Sequence, residues 1–154
     1  MKLLKESINY INLYTIQHKA VLDTLLNGKT YIADYNHIFD RQYVPQYKRL
    51  ANLLELKNCP IFCATAYSRN IINSSNINST DDKILLRLKV PKAFVKLHQY
   101  YDWSDYLYFD ALDSWDNSDI SKSELENLIK SQQIHDIHTV QAVIDKIEPE
   151  WLIK

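Results

Sequence analysis

The sequence predicts an α+β fold, a split or two-sheet, mainly antiparallel core with two or three helices packed on it. Three observations predict it. Residues 84–90 alternate, with Ile84, Leu86, Leu88 and Val90 on one side and Arg87 and Lys89 on the other, the period of a half-buried strand. Val21, Leu22, Leu25 and Leu26, and again Tyr47, Leu50, Ala51 and Leu54, recur at helical spacing. Gly28 is the only glycine in 154 residues. Walker loops, dinucleotide fingerprints, kinase lids and nucleophile elbows need several glycines for tight turns or close approach to phosphate, so their folds are excluded.

Taken in order, Leu13-Tyr14-Thr15-Ile16-Gln17 is aromatic and β-branched and predicts a strand. The helix that follows ends at Gly28, where a helix C-terminus favours glycine. Tyr31-Ile32-Ala33 predicts a short extended piece. Pro45 suits the first turn of a helix over residues 45–56. Pro60-Ile61-Phe62-Cys63-Ala64-Thr65-Ala66 predicts a buried strand, and the polar stretch 70–82 a surface loop. Residues 103–115 fit an aromatic-rich helix or a loop equally well. Ser121 and Glu124 match a capping box, continued as a helix by Leu125, Leu128 and Ile129. Residues 139–144 alternate again and predict a strand. With neither internal repeat nor linker, the chain reads as a single domain over residues 1–154.

Hydrophobic residues at 46% and charged residues at 24% are ordinary for a globular domain. A net charge of −1 gives no strong nucleic-acid signal for the molecule as a whole. Residues 1–6 lack the apolar stretch of a secretory signal, and nowhere do about 18 apolar residues run together as a membrane span needs. The expected location is cytoplasmic, with no membrane contact. Cys59 and Cys63 on one extended segment would sit roughly 13 Å apart at about 3.3 Å per residue, too far for a disulfide. Both are expected as buried free thiols.

His135 and His138 are three apart and would face opposite sides of a strand, while His18, His37 and His98 are scattered, so no metal site is expected. Ser68 and Ser74 have no local device to activate them. Asp81 with Asp82, and Glu148 with Glu150, are carboxylate pairs of the kind solvated turns provide.

The charge pattern carries more. Residues 83–96 hold five cations, Lys83, Arg87, Lys89, Lys92 and Lys96, and no acid. Residues 102–119 hold six aspartates, Asp102, Asp105, Asp110, Asp113, Asp116 and Asp119, and no Lys or Arg. Trp103, Tyr106, Tyr108, Phe109 and Trp115 are interleaved with them. Aromatics among acids suit a docking surface for a basic protein, with Asp102, Trp103, Asp105, Asp110 and Asp113 as candidate contacts. The bland alternative is that the aromatics are core and the aspartates cap helices or face water.

Several segments also occur in a familiar order. They are Leu13-Tyr14-Thr15-Ile16-Gln17, Pro60-Ile61-Phe62-Cys63-Ala64, Leu88-Lys89-Val90-Pro91, Tyr101-Asp102-Trp103, and Val140-Gln141-Ala142 leading to Pro149-Glu150-Trp151-Leu152-Ile153. Together they resemble a family of small bacterial proteins known only as a domain of unknown function. More distantly, Tyr14 to Gln17, the helix ending at Gly28, the strand 84–91 and Gln141-Ala142 resemble the layout of the ADP-ribosyltransferase superfamily, particularly the DNA-modifying toxins. The departures are Thr15 where that motif has histidine, and Val143 where it has the glutamate that orients the nicotinamide ribose.

This resemblance implies an ADP-ribosyltransferase-like domain, degenerate at those positions, that binds an NAD-like nucleotide or a nucleotide-bearing target. NAD is the cofactor it implies. Candidate ligand contacts are Tyr14, Thr15, Gln17, Tyr67, Arg69, Gln141 and Asp145, with Arg69 on phosphate. The alternative is a non-enzymatic protein-binding or inhibitor module from a bacterial or phage conflict system, acting through the aromatic-acidic segment. A structural homo-oligomer is a third option.

Overall fold

A computed structural model describes residues 9–72 and 82–154. Ser74, Asp81 and most of the expected polar loop lie outside them. Five strands, β1 (Tyr10–His18), β2 (Ile61–Thr65), β3 (Lys83–Pro91), β4 (Lys96–Gln99) and β5 (Val140–Ile144), form one sheet in the order β3-β1-β2-β5-β4. Every neighbouring pair is antiparallel. Four α-helices accompany it among the described residues, α1 (Lys19–Leu26), α2 (Val44–Leu53), α3 (Tyr100–Ala111) and α4 (Lys122–Lys130).

The chain is thus α+β as expected, built on a single sheet with a thin waist. All nine residues of β1 pair with β3. Against β2, β1 shares only two registers, Leu13 with Thr65 and Tyr14 with Ala64.

The alternation read in β3 is present: Leu86, Leu88 and Val90 are buried and Leu85, Arg87 and Lys89 exposed. β5 differs, because all five of its residues are buried. It is an inner strand with both faces covered, so Val143 is as enclosed as Val140, Ala142 and Ile144, and Gln141 keeps only a sliver of surface. β4 is short and polar (Lys96, Leu97, His98, Gln99) and has no sequence signature. It exists because Leu97 pairs with Ala142 of β5, while Gln132 Oε1 accepts from the Leu97 amide at 2.8 Å and closes the outer edge.

One face of the sheet packs against α1 and the C-terminal segment. Ile11, Leu13, Leu86, Leu88, Val140 and Ile144 meet Val21, Leu25, Ile147 and Trp151 there. On the other face α2, α3 and α4 bury Leu50, Leu54, Trp103, Tyr106, Leu125 and Ile129 around Val143 and Phe62. Burying such side chains stabilises the fold by about 1.5–3 kcal/mol each. A polar clamp ties these helices together. Arg49 donates to both Glu126 oxygens at 2.9 Å, and Tyr106 donates its hydroxyl to Glu126 at 2.7 Å. Arg49 holds the Glu126 carboxyl below its ordinary range.

The segment left open between helix and loop is helix α3, followed by a 3-10 turn at Trp115–Asn117. The capping box is formed: Ser121 Oγ accepts from the Glu124 amide at 3.1 Å and donates to Glu124 Oε1 at 3.1 Å. Gly28 follows α1 with φ 74°, and Glu55, Asp113 and Gln132 follow α2, α3 and α4 with φ 57°, 49° and 55°. Three helices therefore end in the left-handed turn without the glycine that usually marks it.

Candidate functional site

Strand registers place Arg87, Tyr14, Ala64, Gln141 and His98 in one row across the sheet, on the face that bears α2, α3 and α4. Those helices cover only the half made by β2, β5 and β4. Over β1 and β3 the same face carries the half-buried Tyr14 and Ile16 and the exposed Lys83, Leu85, Arg87 and Lys89. Lys89 lies over the Tyr10 ring, 5.0 Å from its centroid. β1 and β3 contribute no acid to this open half.

Where the covered and open halves meet lies a cleft of about 540 Å³, lined by Ile16, Gln17, His18, Phe62, Tyr100 and Gln141, among others. It exists because β1 and β2 part after two registers. At the parting, the fully buried Thr15 replaces a ladder bond with a side-chain one, donating from Oγ1 to the Phe62 carbonyl at 2.8 Å. The same oxygen accepts from Gln17 Nε2 at 2.9 Å.

The turn after β2 forms the wall. The Thr65 amide donates to Ser68 Oγ at 2.9 Å, and the Ser68 amide donates back to the Thr65 carbonyl at 3.2 Å. This buried exchange sets up a 3-10 turn at Arg69–Ile71 and puts the Arg69 guanidinium 4.7 Å from the Tyr14 ring centroid. Such a contact at an exposed site stabilises by about 0.5–1 kcal/mol, enough to pre-orient the group without consuming its hydrogen-bond donors.

Behind Gln141 sits His98, fully buried, with Nε2 2.6 Å from Gln141 Oε1. Its ring stacks near Phe62 and Trp103, at centroid distances of 6.5 Å and 6.1 Å. Burial pulls its pKa down to about 4, partly offset by the Gln141 hydrogen bond, so the imidazole is neutral at physiological pH.

Of the seven candidate ligand contacts, Gln17 and Gln141 line the cleft, while Arg69 and Tyr14 lie against each other on the turn and strand beside it, outside the lining. Thr15 is at the parting but has no surface, so its role there is to hold the strands. Tyr67 is on the same turn, 45% exposed and outside the cleft lining. Asp145 is elsewhere: it accepts from the Lys57 amide at 2.8 Å and lines a separate depression with Glu55 and Lys96. Four residues beyond Gln141 on an extended chain, it is carried to the other end of β5.

The docking candidates divide as well. Trp103 is 3% exposed and is core, which corrects its expected role as a surface anchor. Asp110 is engaged internally, accepting from Gln46 Nε2 at 2.9 Å and Trp115 Nε1 at 3.1 Å and pairing with Lys122 at 2.8 Å. Asp102 is half-buried, and burial raises its pKa. Asp105 and Asp113 are exposed.

His98, Phe62, His18 and Tyr100 are site residues that the sequence did not single out. His98 and Gln141 are 43 positions apart, and their pairing requires β4, which has no sequence signature.

Cys59 and Cys63 are free and buried, with burial pushing their thiols up to about 11 and about 12. Cys63 borders the cleft, yet it carries no thiolate at neutral pH. Among the described residues no three His, Cys, Asp or Glu side chains are grouped to hold a metal ion, and no helix is long and apolar enough to cross a membrane. Compared with protein-family models, curated proteins and solved structures, the chain matches none.

Proposed function

We propose that this chain is an ADP-ribosyltransferase-like binding domain that takes an NAD-like nucleotide, or a nucleotide-bearing target, in the cleft where β1 parts from β2. The observation that carries this reading is the Arg69 guanidinium held over Tyr14 beside a cleft edged by the amides of Gln17 and Gln141. A guanidinium suits phosphate, an aromatic ring suits a base, and amides suit the polar edge of a ring. The role is binding rather than transfer. Val143, at the position of the superfamily's glutamate, is fully buried against the helices and offers no carboxylate.

The test is thermal stability with NAD, ADP-ribose and AMP. A ligand at about 100 times its dissociation constant stabilises the fold by roughly 2.7 kcal/mol, and Arg69→Ala should remove most of that gain. A melting curve unmoved by millimolar concentrations of all three rejects the reading.

One observation favours a second reading. Tyr101 and Tyr108 on α3 and Leu112 at its C-cap are 61%, 58% and 56% exposed, and at helical spacing they share a stripe with the exposed Asp105. This stripe, rather than Trp103, would be the contact of a module that docks a basic protein. Its signature is an association rate that falls with salt and on Asp105→Lys.

A further inference from the structure

We propose that the cleft offers its ligand one fixed acceptor, from Gln17, and one fixed donor, from Gln141, because each amide is held in a single orientation by a buried partner. The inference rests on the nucleotide reading and assigns the chemistry of the groups the cleft presents.

The orientation of Gln17 follows from counting protons. The Thr15 hydroxyl has one proton, and the Phe62 carbonyl, 2.8 Å away, can only accept it. Thr15 Oγ1 therefore faces Gln17 as an acceptor, so the group 2.9 Å away is the Gln17 amide nitrogen. Gln17 lines the cleft and is left with its oxygen, turned away from Thr15, and the second N–H of its nitrogen. Because Thr15 is fully buried, no water competes for this hydroxyl, and the Cys63 thiol beside it is only a weak hydrogen-bond partner.

The orientation of Gln141 follows from the other ring nitrogen of His98. Nδ1 is buried and has no hydrogen-bond partner. A proton on Nδ1 would be a buried N–H with no acceptor, whereas a lone pair there loses less. The single proton of the neutral ring thus sits on Nε2 and is donated to Gln141 Oε1 at 2.6 Å. The Gln141 nitrogen has no partner among the described residues, and it is not among the fully buried polar atoms. It is the donor that this side chain offers to the cleft it lines.

His98 and Thr15 are positioning residues: neither touches the ligand, and each sets which atom of a glutamine does. One lining amide offers oxygen and the other N–H. That pair suits a primary carboxamide or the amino-imine edge of a nucleobase. A carboxylate has no donor for the Gln17 oxygen, and an oxo-purine edge exchanges donor and acceptor, so in the same pose it mismatches both amides.

Calorimetric titration compares AMP with IMP and nicotinamide with nicotinic acid, which separates a base edge from a carboxamide. At least one pair should favour its amino or amide member by about tenfold or more, the effect of one unmatched hydrogen bond. Gln141→Glu, which has no donor, should lose about tenfold. His98→Leu should lose a similar factor by freeing the amide to flip, while His98→Gln, which restores a donor to Oε1, should rescue binding. Equal affinity within both pairs, or a His98→Leu protein that folds and binds as tightly as the parent, overturns the proposal. Nitrogen-15 NMR of the unliganded protein should find His98 protonated on Nε2 alone and not titrating between pH 5 and 8. A proton on Nδ1 overturns this inference and leaves the nucleotide reading standing. Binding of none of the four probes, nor of NAD or ADP-ribose, rejects both.

Discussion

The helix-bearing face of the sheet has two unlike halves. Over β2, β5 and β4 it is roofed by α2, α3 and α4, and Trp103, Tyr106 and Phe62 pack there with centroids about 6 Å apart. Over β1 and β3 no helix among the described residues covers the same face, which carries Tyr10, Tyr14, Lys83, Arg87 and Lys89. Both halves are antiparallel strands obeying the same alternation. What separates them is composition at the outward positions, where β3 has cations that helices could cover only by desolvating them. The lesson is that helical cover ends partway across one sheet, and the cleft sits at that boundary.

The largest expected effect tests the covered half. Trp103→Ala removes a ring that is 3% exposed and should cost about 3–5 kcal/mol of stability, measured by denaturant titration. A loss below about 1 kcal/mol would mean that the helical roof is not a packed core.

A pH titration tests the seam between the halves. The folded-state pKa of His98 is about 4, against an ordinary 6.5. Between those values the unfolded chain binds a proton that the folded one excludes. Stability therefore falls as pH drops from 6.5 towards 4, by on the order of 3 kcal/mol, and is unaffected by this group above 6.5. Glu126, held below its ordinary 4.5 by Arg49, loses its contribution only as pH falls beneath 4.5, so it adds nothing to the slope above 5. His98→Gln should flatten the profile between pH 6.5 and 5. An equally steep profile in that variant would place the buried acid-sensitive group elsewhere.

The smallest expected effect tests the open half. Arg87→Ala and Lys89→Ala alter exposed side chains and should each change stability by no more than about 0.5 kcal/mol. A larger loss from either would show that the open half contributes to the core after all.

Legibility follows the same division. β3 was readable because one of its faces meets water, so its apolar and charged residues alternate visibly. β5 was readable as a strand but not as an inner one, since Gln141 looks like a solvent position until β4 and the helices are set against it. The ends of α2, α3 and α4 were obscured because Glu55, Asp113 and Gln132 take the left-handed conformation that elsewhere in the chain belongs to Gly28. Gln132 has a second task that glycine could not perform, accepting the Leu97 amide at the sheet edge.

By itself the sequence determined the α+β class, the positions of β1, β2, β3, β5 and of α1, α2 and α4, and the exclusion of glycine-rich phosphate loops. These depend on local spacing, turn chemistry and residue type, which neighbours along the chain specify. Only the tertiary structure decided that the strands make one sheet with a two-register waist, that Trp103 is core, that Asp145 lies apart from Gln141, and that His98 stands behind the cleft. The physical reason is distance along the chain. The bonds that make the site, Thr15 to Phe62 across 47 positions and His98 to Gln141 across 43, join residues whose surroundings in sequence bear no trace of each other.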